Sequence, residues 1–423
     1  MTGNYENKGQ TPENKMPRAI AVGLNAPGYC ESSDQTLDEL TSLAHTAGAK
    51  VLFRVLQNMP APDARTFIGK GKLEQISELA RVHEADLLLF DDELSPSQLS
   101  NIERESGMAV LDRSMLILDI FAMRARLREV KIQVELAQLK YMLPRLAGIG
   151  VNLSRLGGGI GTRGPGESKL ETDRRHIRSR ISLLEQQLRE VEQNRGLQRK
   201  KRLDSTIFKL CLIGYTNAGK STLLNTLTGA KDAYTEDKLF ATLDPLTRRF
   251  DIGDGRMVLV SDTVGFIRKL PHHLFDAFAS TLEELKFADV LLHVVDLSDE
   301  AYLSHMRIVD ELVEKLGAAD KPKLIVYNKI DQADVQDDQL LTDGIGVSAV
   351  TGAGIHNLLT KITGILDQKY VKMHLCIPYQ ESALVQQVYK AASEVKESYH
   401  ESGILLDVTM LASSAGRFLK YEV

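Results

Sequence analysis

The sequence predicts a multidomain α/β protein, and three observations lead to that prediction. Apolar strands alternate with helical patterns over residues 17–113 and again over 204–369, an order typical of parallel sheets covered by helices. Two long helical patterns within 114–203 flank a glycine-rich stretch, which predicts an antiparallel helical hairpin arm. Residues 370–423 follow the pattern strand, helix, strand and a last short strand, which predicts a small α+β domain.

Composition sets limits on the class of protein. The chain has 423 residues, of which 43% are hydrophobic and 26% charged, enough for several domains with proper cores. Residues 1–16 are polar and lack an apolar segment, so they predict a disordered tail rather than a signal peptide. The apolar runs fall short of the roughly 20 residues that a membrane span needs. We therefore expect a soluble, cytoplasmic protein that acts as a monomer.

Charge and cysteine content exclude other classes. A net charge of -5 and a pI near 6.1 argue against bulk electrostatic binding of nucleic acid, so any such contact must be local. The three cysteines are far apart and odd in number, which argues against a disulfide framework and against a zinc site.

The first domain, 17–113, contains one weak phosphate-binding signal. Strands are predicted at 19–22, 51–55 and 87–90, and helices are predicted to open at Ser33, Lys72 and Ser95. Within it, the glycines and lysines of FIGKGK open a helix, where a phosphate could bind the N-terminus. The alternative is a tight turn with solvated lysines. The residues concerned are Gly69, Lys70, Gly71 and Lys72.

The second region, 114–203, carries two helical seams. From Ser114 to Leu146 apolar residues recur at alternating steps of three and four, which predicts one long helix ended by Pro144 and the following glycines. The period resumes from Leu170 to Val191, before a basic linker at 199–202. Two helices joined by one loop predict a hairpin. The alternative is that both helices pack on the flanking domains. The first seam comprises Ile120, Met123, Leu127, Val130, Val134, Ala137 and Tyr141.

The loop between the seams is the glycine-rich tip, residues 156–175, LGGGIGTRGPGESKLETDRR. Six glycines remove side chains that would keep main-chain N–H groups from a ligand, and Arg155, Arg163 and Lys169 add positive charge. The pattern predicts contact with a phosphate-rich surface. A flexible hinge is the alternative, but a hinge needs no arginines, and Pro165 would stiffen it.

The third region, 204–369, contains a phosphate-binding loop. An apolar strand, 209–213, is followed at once by GYTNAGKST and then by a helical pattern. Gly214 and Gly219 let main-chain N–H groups surround phosphates, Lys220 reaches the β- and γ-oxygens, and the Ser221 hydroxyl can ligate Mg²⁺. The predicted nucleotide contacts here are Gly214, Tyr215, Thr216, Asn217, Ala218, Gly219, Lys220, Ser221 and Thr222.

A second motif, DTVG, places Asp262 at the end of a strand, where it can support the Mg²⁺ shell. Its Gly265 can present an N–H to the γ-phosphate, and Thr263 and Val264 complete the predicted contact segment. Thr242 in ATLDP is the candidate switch threonine that would ligate Mg²⁺ with Ser221 when GTP is bound. Lys220, Thr242 and Gly265 are therefore the predicted catalytic residues.

The base is predicted to be guanine. A strand ends in NKID, where Asp331 can accept from the ring N–H and the exocyclic amine of guanine, a donor pair that adenine lacks. Asn328 belongs to the same motif, and the aliphatic stem of Lys329 can lie along the base. Ser348 and Ala349 complete the predicted pocket. Together the three motifs predict a P-loop GTPase domain that binds GTP and Mg²⁺.

One position departs from a simple GTP switch. Phe266 follows Gly265, where Ras-like proteins have the glutamine that orients the attacking water, so intrinsic hydrolysis should be slow unless another group helps. Asn217 matches the asparagine of GTPases that recruit K⁺, which makes K⁺ dependence a hypothesis. The adjacent His272 and His273 lack the spacing and the partners of a metal site.

The chain resembles the HflX family of translational GTPases over nearly its whole length, most specifically in GGGIGTRGPGE with LETDRR, ILDIFAMRAR, QVELAQLKY, GYTNAGKST and DTVGF. The resemblance implies binding to the large ribosomal subunit and its rRNA, with the glycine-rich tip near the peptidyl-transferase region, and splitting or rescue of stalled or idle ribosomes under stress. It also implies ATP binding at the N-terminal domain. The alternatives are a signalling GTPase that acts on a protein such as a membrane protease regulator, and an ATP-dependent RNA remodeller.

Overall fold

The chain forms two contact units in the computed structural model. One comprises the chain up to Met123 together with Val134–Ser182, and the other comprises Arg124–Gln133 together with Leu183–Val423. The described residues are 16–31, 33–154, 165–203, 207–229, 239–240, 243, 246–253, 256–269, 284–333 and 343–423.

The first unit contains a mainly parallel sheet. Strand β1 pairs in parallel with β3 and β4, and β4 pairs with β5, as the alternation of strands and helices predicts. Two of the predicted helix starts are capping boxes: Ser33 and Thr36 exchange hydrogen bonds, and Ser95 and Gln98 do the same. The elements are β1 (Arg18–Ala26), β2 (Cys30–Glu31), α1 (Asp34–Thr46), β3 (Lys50–Asn58), α2 (Lys70–Val82), β4 (Leu87–Phe90), α3 (Pro96–Ser106) and β5 (Ala109–Asp112).

The single long helix predicted from Ser114 to Leu146 is wrong. The structure has two helices, α4 (Arg113–Arg124) and α5 (Arg128–Ser154). Met123 and Leu127, two members of the predicted seam, are exposed beside this break. The other five seam residues are buried: Ile120, Val130, Val134, Ala137 and Tyr141.

The prediction that Pro144 ends the helix is also wrong, because α5 continues through it. Proline removes one main-chain donor from a helix. Next to the proline, the Arg145 side chain donates to the carbonyl of Tyr141 at 2.9 Å and to that of Leu94 at 2.7 Å. This tertiary anchor holds the helix on both sides of the proline.

The second seam lies in helix α6 (Pro165–Leu203). A bidentate ion pair joins α6 to α5: Arg180 Nε and Nη2 donate to the two carboxylate oxygens of Glu135 at 2.7 and 2.9 Å. Of the glycine-rich tip, residues 156–164 lie outside the described residues, so hairpin geometry there stays a prediction, whereas 165–175, predicted as loop, belong to α6.

The second unit contains a six-stranded sheet in the order β11-β10-β9-β6-β8-β7 over the described residues, parallel except for β7. Strands β6, β8 and β10 end next to the phosphate-binding loop, Asp262 and the base motif, so the sheet brings the three motifs to one edge. The elements are β6 (Phe208–Gly214), α7 (Lys220–Thr228), β7 (Leu246–Asp251), β8 (Met257–Asp262), α8 (Glu284–Phe287), β9 (Val290–Asp296), α9 (Tyr302–Lys315), β10 (Lys323–Asn328), β11 (Gly344–Gly346) and α10 (Ile355–Lys369).

The C-terminal region forms an antiparallel sheet, β12-β14-β13, with its own apolar cluster. The predicted last short strand is a nine-residue strand, β14, and it is followed by helical turns. Leu411 of β14 belongs to the core of the six-stranded sheet, which ties the C-terminal region to it. The elements are β12 (Tyr370–Ile377), α11 (Ala383–Ala391), β13 (Ala392–His400), β14 (Gly403–Leu411) and α12 (Ala412–Ala415).

Candidate functional site

The phosphate-binding loop follows β6 and opens α7, as predicted. Gly214 has φ 152°, and a Cβ placed there would lie 2.2 Å from the carbonyl oxygen of Val294. Gly219 has φ 86°, and a Cβ there would lie 2.2 Å from the side-chain amide of Asn328. Both positions therefore require glycine, because a side chain would be strained and would collide with a neighbouring strand.

Lys220 is the buried cation of the site, with 6% of the residue exposed. Its Nζ donates to two main-chain carbonyls, of Gly214 at 3.1 Å and of Tyr215 at 2.7 Å. Burial lowers the pKa of Lys220 to about 8, although the nearby Asp262 carboxylate opposes that shift. A buried ammonium held by neutral carbonyls gains from an anionic ligand, so the environment of Lys220 fits the phosphates of a nucleotide.

Ser221 and Asp262 meet as the sequence predicts. The Ser221 Oγ donates to Asp262 Oδ2 at 2.6 Å, and Asp262 is fully buried at the end of β8. A hydroxyl and a carboxylate in contact supply the hard oxygen atoms that Mg²⁺ prefers. The neighbouring Thr263 has a different role, since its hydroxyl donates to the Leu212 carbonyl at 2.7 Å and ties β8 to β6.

The segment after Asp262 is bonded to the phosphate-binding loop. A Cβ on Gly265 would lie 2.8 Å from Thr216 Cα and 3.1 Å from Lys220 Nζ. Phe266 donates its N–H to the Gly214 carbonyl at 3.1 Å and accepts from the Thr216 N–H at 2.8 Å. The Phe266 residue is only 2% exposed, so its ring packs into the protein and gives no polar contact to a water.

Asn328 joins two parts of the site. Its amide nitrogen donates to the Ala218 carbonyl at 2.9 Å, and its amide oxygen accepts from the Ala349 N–H at 3.0 Å. The side chain thus holds the phosphate-binding loop beside the segment containing Ser348 and Ala349. The Ser348 Oγ accepts from the Thr351 N–H at 3.1 Å and shapes the turn.

Lys329 and Asp331 follow at the same sheet edge. Lys329 has φ 63°, and its Nζ lies 2.6 Å from Asp296 Oδ2, which fixes the lysine stem. Asp331 is exposed, so its carboxylate is accessible to a ligand. This arrangement is consistent with a base lying over Lys329 and hydrogen-bonding to Asp331.

Several residues at the site were missed by the sequence analysis. Asp296, at the end of β9, fixes Lys329, and the Thr226 hydroxyl donates to the Ala349 carbonyl at 2.6 Å. His305 of α9 stacks on Tyr215 with ring centroids 3.8 Å apart. None of these residues belongs to a nucleotide-binding motif, and their spacing along the chain gives no signal.

Some predicted residues lie outside the described part of the chain. They include the switch threonine Thr242 and the His272 and His273 pair. Asn217, the proposed K⁺ ligand, is described: it is exposed and has φ 61°.

The GKGK segment of the first unit has a different environment. Gly69 is the N-cap of α2, and its N–H donates to Gln57 Oε1 at 3.0 Å. Lys70 is 80% exposed and lies 3.9 Å from Glu74. The segment therefore opens α2, as the phosphate interpretation requires, and does not form a tight turn, but its Lys70 is solvated, as the alternative predicts.

In the described part of the chain, every helix is too short or too polar to cross a membrane.

Four family models match consecutive parts of the chain. They are described as GTP-binding GTPase N-terminal (34–122), GTP-binding GTPase middle region (124–202), 50S ribosome-binding GTPase (209–329) and HflX C-terminal domain (335–419).

Similar proteins cover most of the chain. The GTPase HflX of Caldanaerobacter subterraneus is 48% identical over 92% of this chain and 89% of its own length. The GTPase HflX of Escherichia coli is 41% identical over 92% of both chains. The crystal structure of a GTP-binding protein from Sulfolobus solfataricus in complex with GDP covers 83% of this chain and 99% of its own, with 27% identity and a TM-score of 0.45. The chain is a GTPase and belongs to the HflX family.

Proposed function

We propose that this GTPase binds the large ribosomal subunit through its rRNA and splits or rescues stalled or idle ribosomes under stress. The observation that carries the proposal is the match of residues 209–329 to a 50S ribosome-binding GTPase, within a chain of which 92% aligns with an HflX relative. Nucleotide state would control docking, and contact with the subunit would accelerate hydrolysis and release.

Charge along α6 supports a contact with rRNA next to the glycine-rich tip. Arg175, the last residue of the tip, and Arg178, which follows it in α6, are both exposed. Exposed arginines on a helix suit phosphate groups, and a local cluster can bind nucleic acid although the whole chain carries a net charge of -5.

Mg²⁺ is part of the proposal because the donor set fits it. Ser221 would ligate the ion, Asp262 would support its shell, and Thr242 would join when GTP is bound. The bound ion would neutralise charge on the β- and γ-phosphates of the substrate.

The buried ring of Phe266 leaves the attacking water without the side chain that Ras-like proteins use. We propose that subunit contact, or K⁺ held at Asn217, supplies the missing stabilisation. Hydrolysis rates measured in K⁺ and in Na⁺ buffers test the second option, and equal rates would exclude it.

The first experiment measures GTP hydrolysis with and without purified large subunits in K⁺ buffer, together with co-sedimentation. We expect strong stimulation by the subunits. A lack of both stimulation and co-sedimentation would overturn the proposal and favour a switch that acts on a protein partner.

Two variants locate the docking element. Deletion of 157–166 should remove stimulation by the subunit, and stimulation that survives would rule out the tip. Arg175→Glu with Arg178→Glu should weaken co-sedimentation and reduce its salt dependence. Arg175→Glu alone is compared with Arg189→Glu, which makes the same single charge reversal at an exposed α6 residue further from the tip.

A further inference from the structure

Tyr215 contacts the catalytic machinery at both of its ends. Its main-chain carbonyl accepts from Lys220 Nζ at 2.7 Å, and its phenol oxygen accepts from the main-chain N–H of Arg268 at 2.9 Å. The residue is only 8% exposed. One buried side chain thus links the phosphate-binding loop to the segment that follows Gly265.

The ring of Tyr215 is held by α9. The imidazole of His305 stacks on it with centroids 3.8 Å apart and planes 10° from parallel. His305 lies in the first turn of α9, and its Nδ1 is 3.7 Å from Asp299 Oδ2. The position of the phenol oxygen therefore depends on α9, an element that carries none of the nucleotide-binding motifs.

Arg268 is fixed by α9 as well. Its Nη2 donates to Ser304 Oγ at 2.7 Å, so its main chain is bonded to Tyr215 and its side chain to the residue beside His305. Its Nε is buried and has no hydrogen-bond partner among the described residues.

These contacts bear on the Gly265 N–H, the group predicted to meet the γ-phosphate. On the C-terminal side of Gly265, Phe266 is bonded by its main chain to Gly214 and Thr216. Two residues further on, Arg268 donates its main-chain N–H to the Tyr215 phenol oxygen. With Phe266 buried, hydrolysis depends on main-chain placement in this segment, where an error of about 1 Å is costly.

We propose that Tyr215, Arg268 and His305 form a positioning latch for GTP hydrolysis. The latch uses α9 to fix residues 265–269 against the phosphate-binding loop. Its members act through the main chain of the loop and do not orient the water themselves. The latch concerns intrinsic hydrolysis and is independent of ribosome binding.

The test compares full-length variants by single-turnover GTP hydrolysis without ribosomes, alongside GTP and GDP affinities. Tyr215→Phe removes the phenol oxygen and keeps the ring, and His305→Ala removes the stack. We expect both to slow hydrolysis about tenfold while changing either affinity less than about threefold. His305→Phe, which keeps a flat ring, should return the rate to within about threefold of the parent protein.

The control is Leu303→Ala, an exposed residue adjacent to Ser304 on α9, which should hydrolyse GTP at the parent rate. Parent-like hydrolysis by Tyr215→Phe would overturn the proposal. So would a loss of GTP and GDP affinity in His305→Ala with an unchanged rate constant, since that would mark the stack as purely structural. If His305→Ala fails to fold, the hydrolysis rate of Tyr215→Phe still tests the proposal, because this variant keeps the buried ring.

Discussion

Two glycine–lysine pairs open helices in this chain, and they differ in almost every physical respect. Gly219 has φ 86° and Lys220 is buried, with its amino group on two main-chain carbonyls. Gly69 has φ -61°, and Lys70 extends into solvent beside Glu74. At the N-terminal pair, Gln57 already accepts from the Gly69 N–H.

The difference shows what a phosphate-binding site needs beyond a Gly–Lys sequence motif. A desolvated lysine held by neutral carbonyls gains a great deal from an anion, whereas an exposed lysine near a carboxylate gains little. Burial of Lys220 depends on the strands around it, and Gly219 must be glycine because Asn328 lies against it. Loop and sheet together therefore make the site, and a Gly–Lys pair alone does not.

The most direct way to break this comparison is to remove each lysine. Lys220→Ala should lower GTP and GDP affinity by more than about a thousandfold, because the phosphates lose their buried cation. Lys70→Ala should leave both affinities unchanged. Fluorescence titration with labelled nucleotides measures this. ATP binding that survives Lys220→Ala and disappears when Lys70→Ala is added would contradict our account of the N-terminal pair.

Asp331 extends the comparison, since the proposed base-selecting residue also lies in the second unit. Asp331→Asn should weaken GTP binding about a hundredfold and favour xanthine nucleotides, because the amide replaces one accepting oxygen with an NH2 donor that faces a donor of guanine. Competition between GTP and XTP gives the ratio. Asp320→Asn, an exposed aspartate at a distance in sequence, is the charge-matched control. Unchanged GTP affinity in Asp331→Asn would contradict the base assignment.

Sequence predicted the parts of the site that sit at strand ends. Gly214, Asp262 and Asn328 each end an apolar strand, and parallel strands bring such ends to one edge. The role of Asn328 was harder to predict from the sequence, because its amide nitrogen and oxygen both form hydrogen bonds within the protein. His305 could not be found at all, since only the folded sheet brings α9 to Tyr215.

The helical region shows the same limit in the fold. Its apolar period predicted buried residues such as Val130 and Tyr141 correctly. It gave no sign of the break before Arg128 or of the passage of α5 through Pro144. Near Pro144, Arg145 of α5 donates to the Leu94 carbonyl. These residues are far apart in sequence, so a local apolar pattern cannot predict their contact.

The pKa of Lys220 gives a pH test of its burial. Burial lowers this pKa to about 8, and bound phosphates favour the charged form, so the pKa must rise on binding. Above about pH 8 binding then takes up a proton, and nucleotide affinity should fall by up to about tenfold from pH 8 to 9. Calorimetry in two buffers of different ionisation enthalpy counts the proton. A flat affinity over this range would show that the lysine is not desolvated.

The lowered pKa of Lys220 also predicts how the stability of the nucleotide-free protein changes with pH. The pKa of Lys220 is lower in the folded chain than its ordinary value of 10.5, so the unfolded chain binds more protons between about pH 8 and 10.5. The contribution of Lys220 to stability is therefore unfavourable at neutral pH and should become less so as pH rises through that window.

The smallest expected effect is on helix stability, and it distinguishes Gly71 from Gly219. Gly71 lies inside α2 without a positive φ, and a Cβ there would meet nothing within 4 Å. Gly71→Ala should therefore stabilise α2 by about 0.5–1 kcal/mol, because alanine loses less conformational entropy in a helix. Gly219→Ala should have the opposite sign, since φ 86° and the contact with Asn328 both oppose a side chain. Hydrogen exchange of the amides in α2 and α7 measures each change locally. Destabilisation of α2 by Gly71→Ala would mean that the N-terminal glycines, too, serve a close approach.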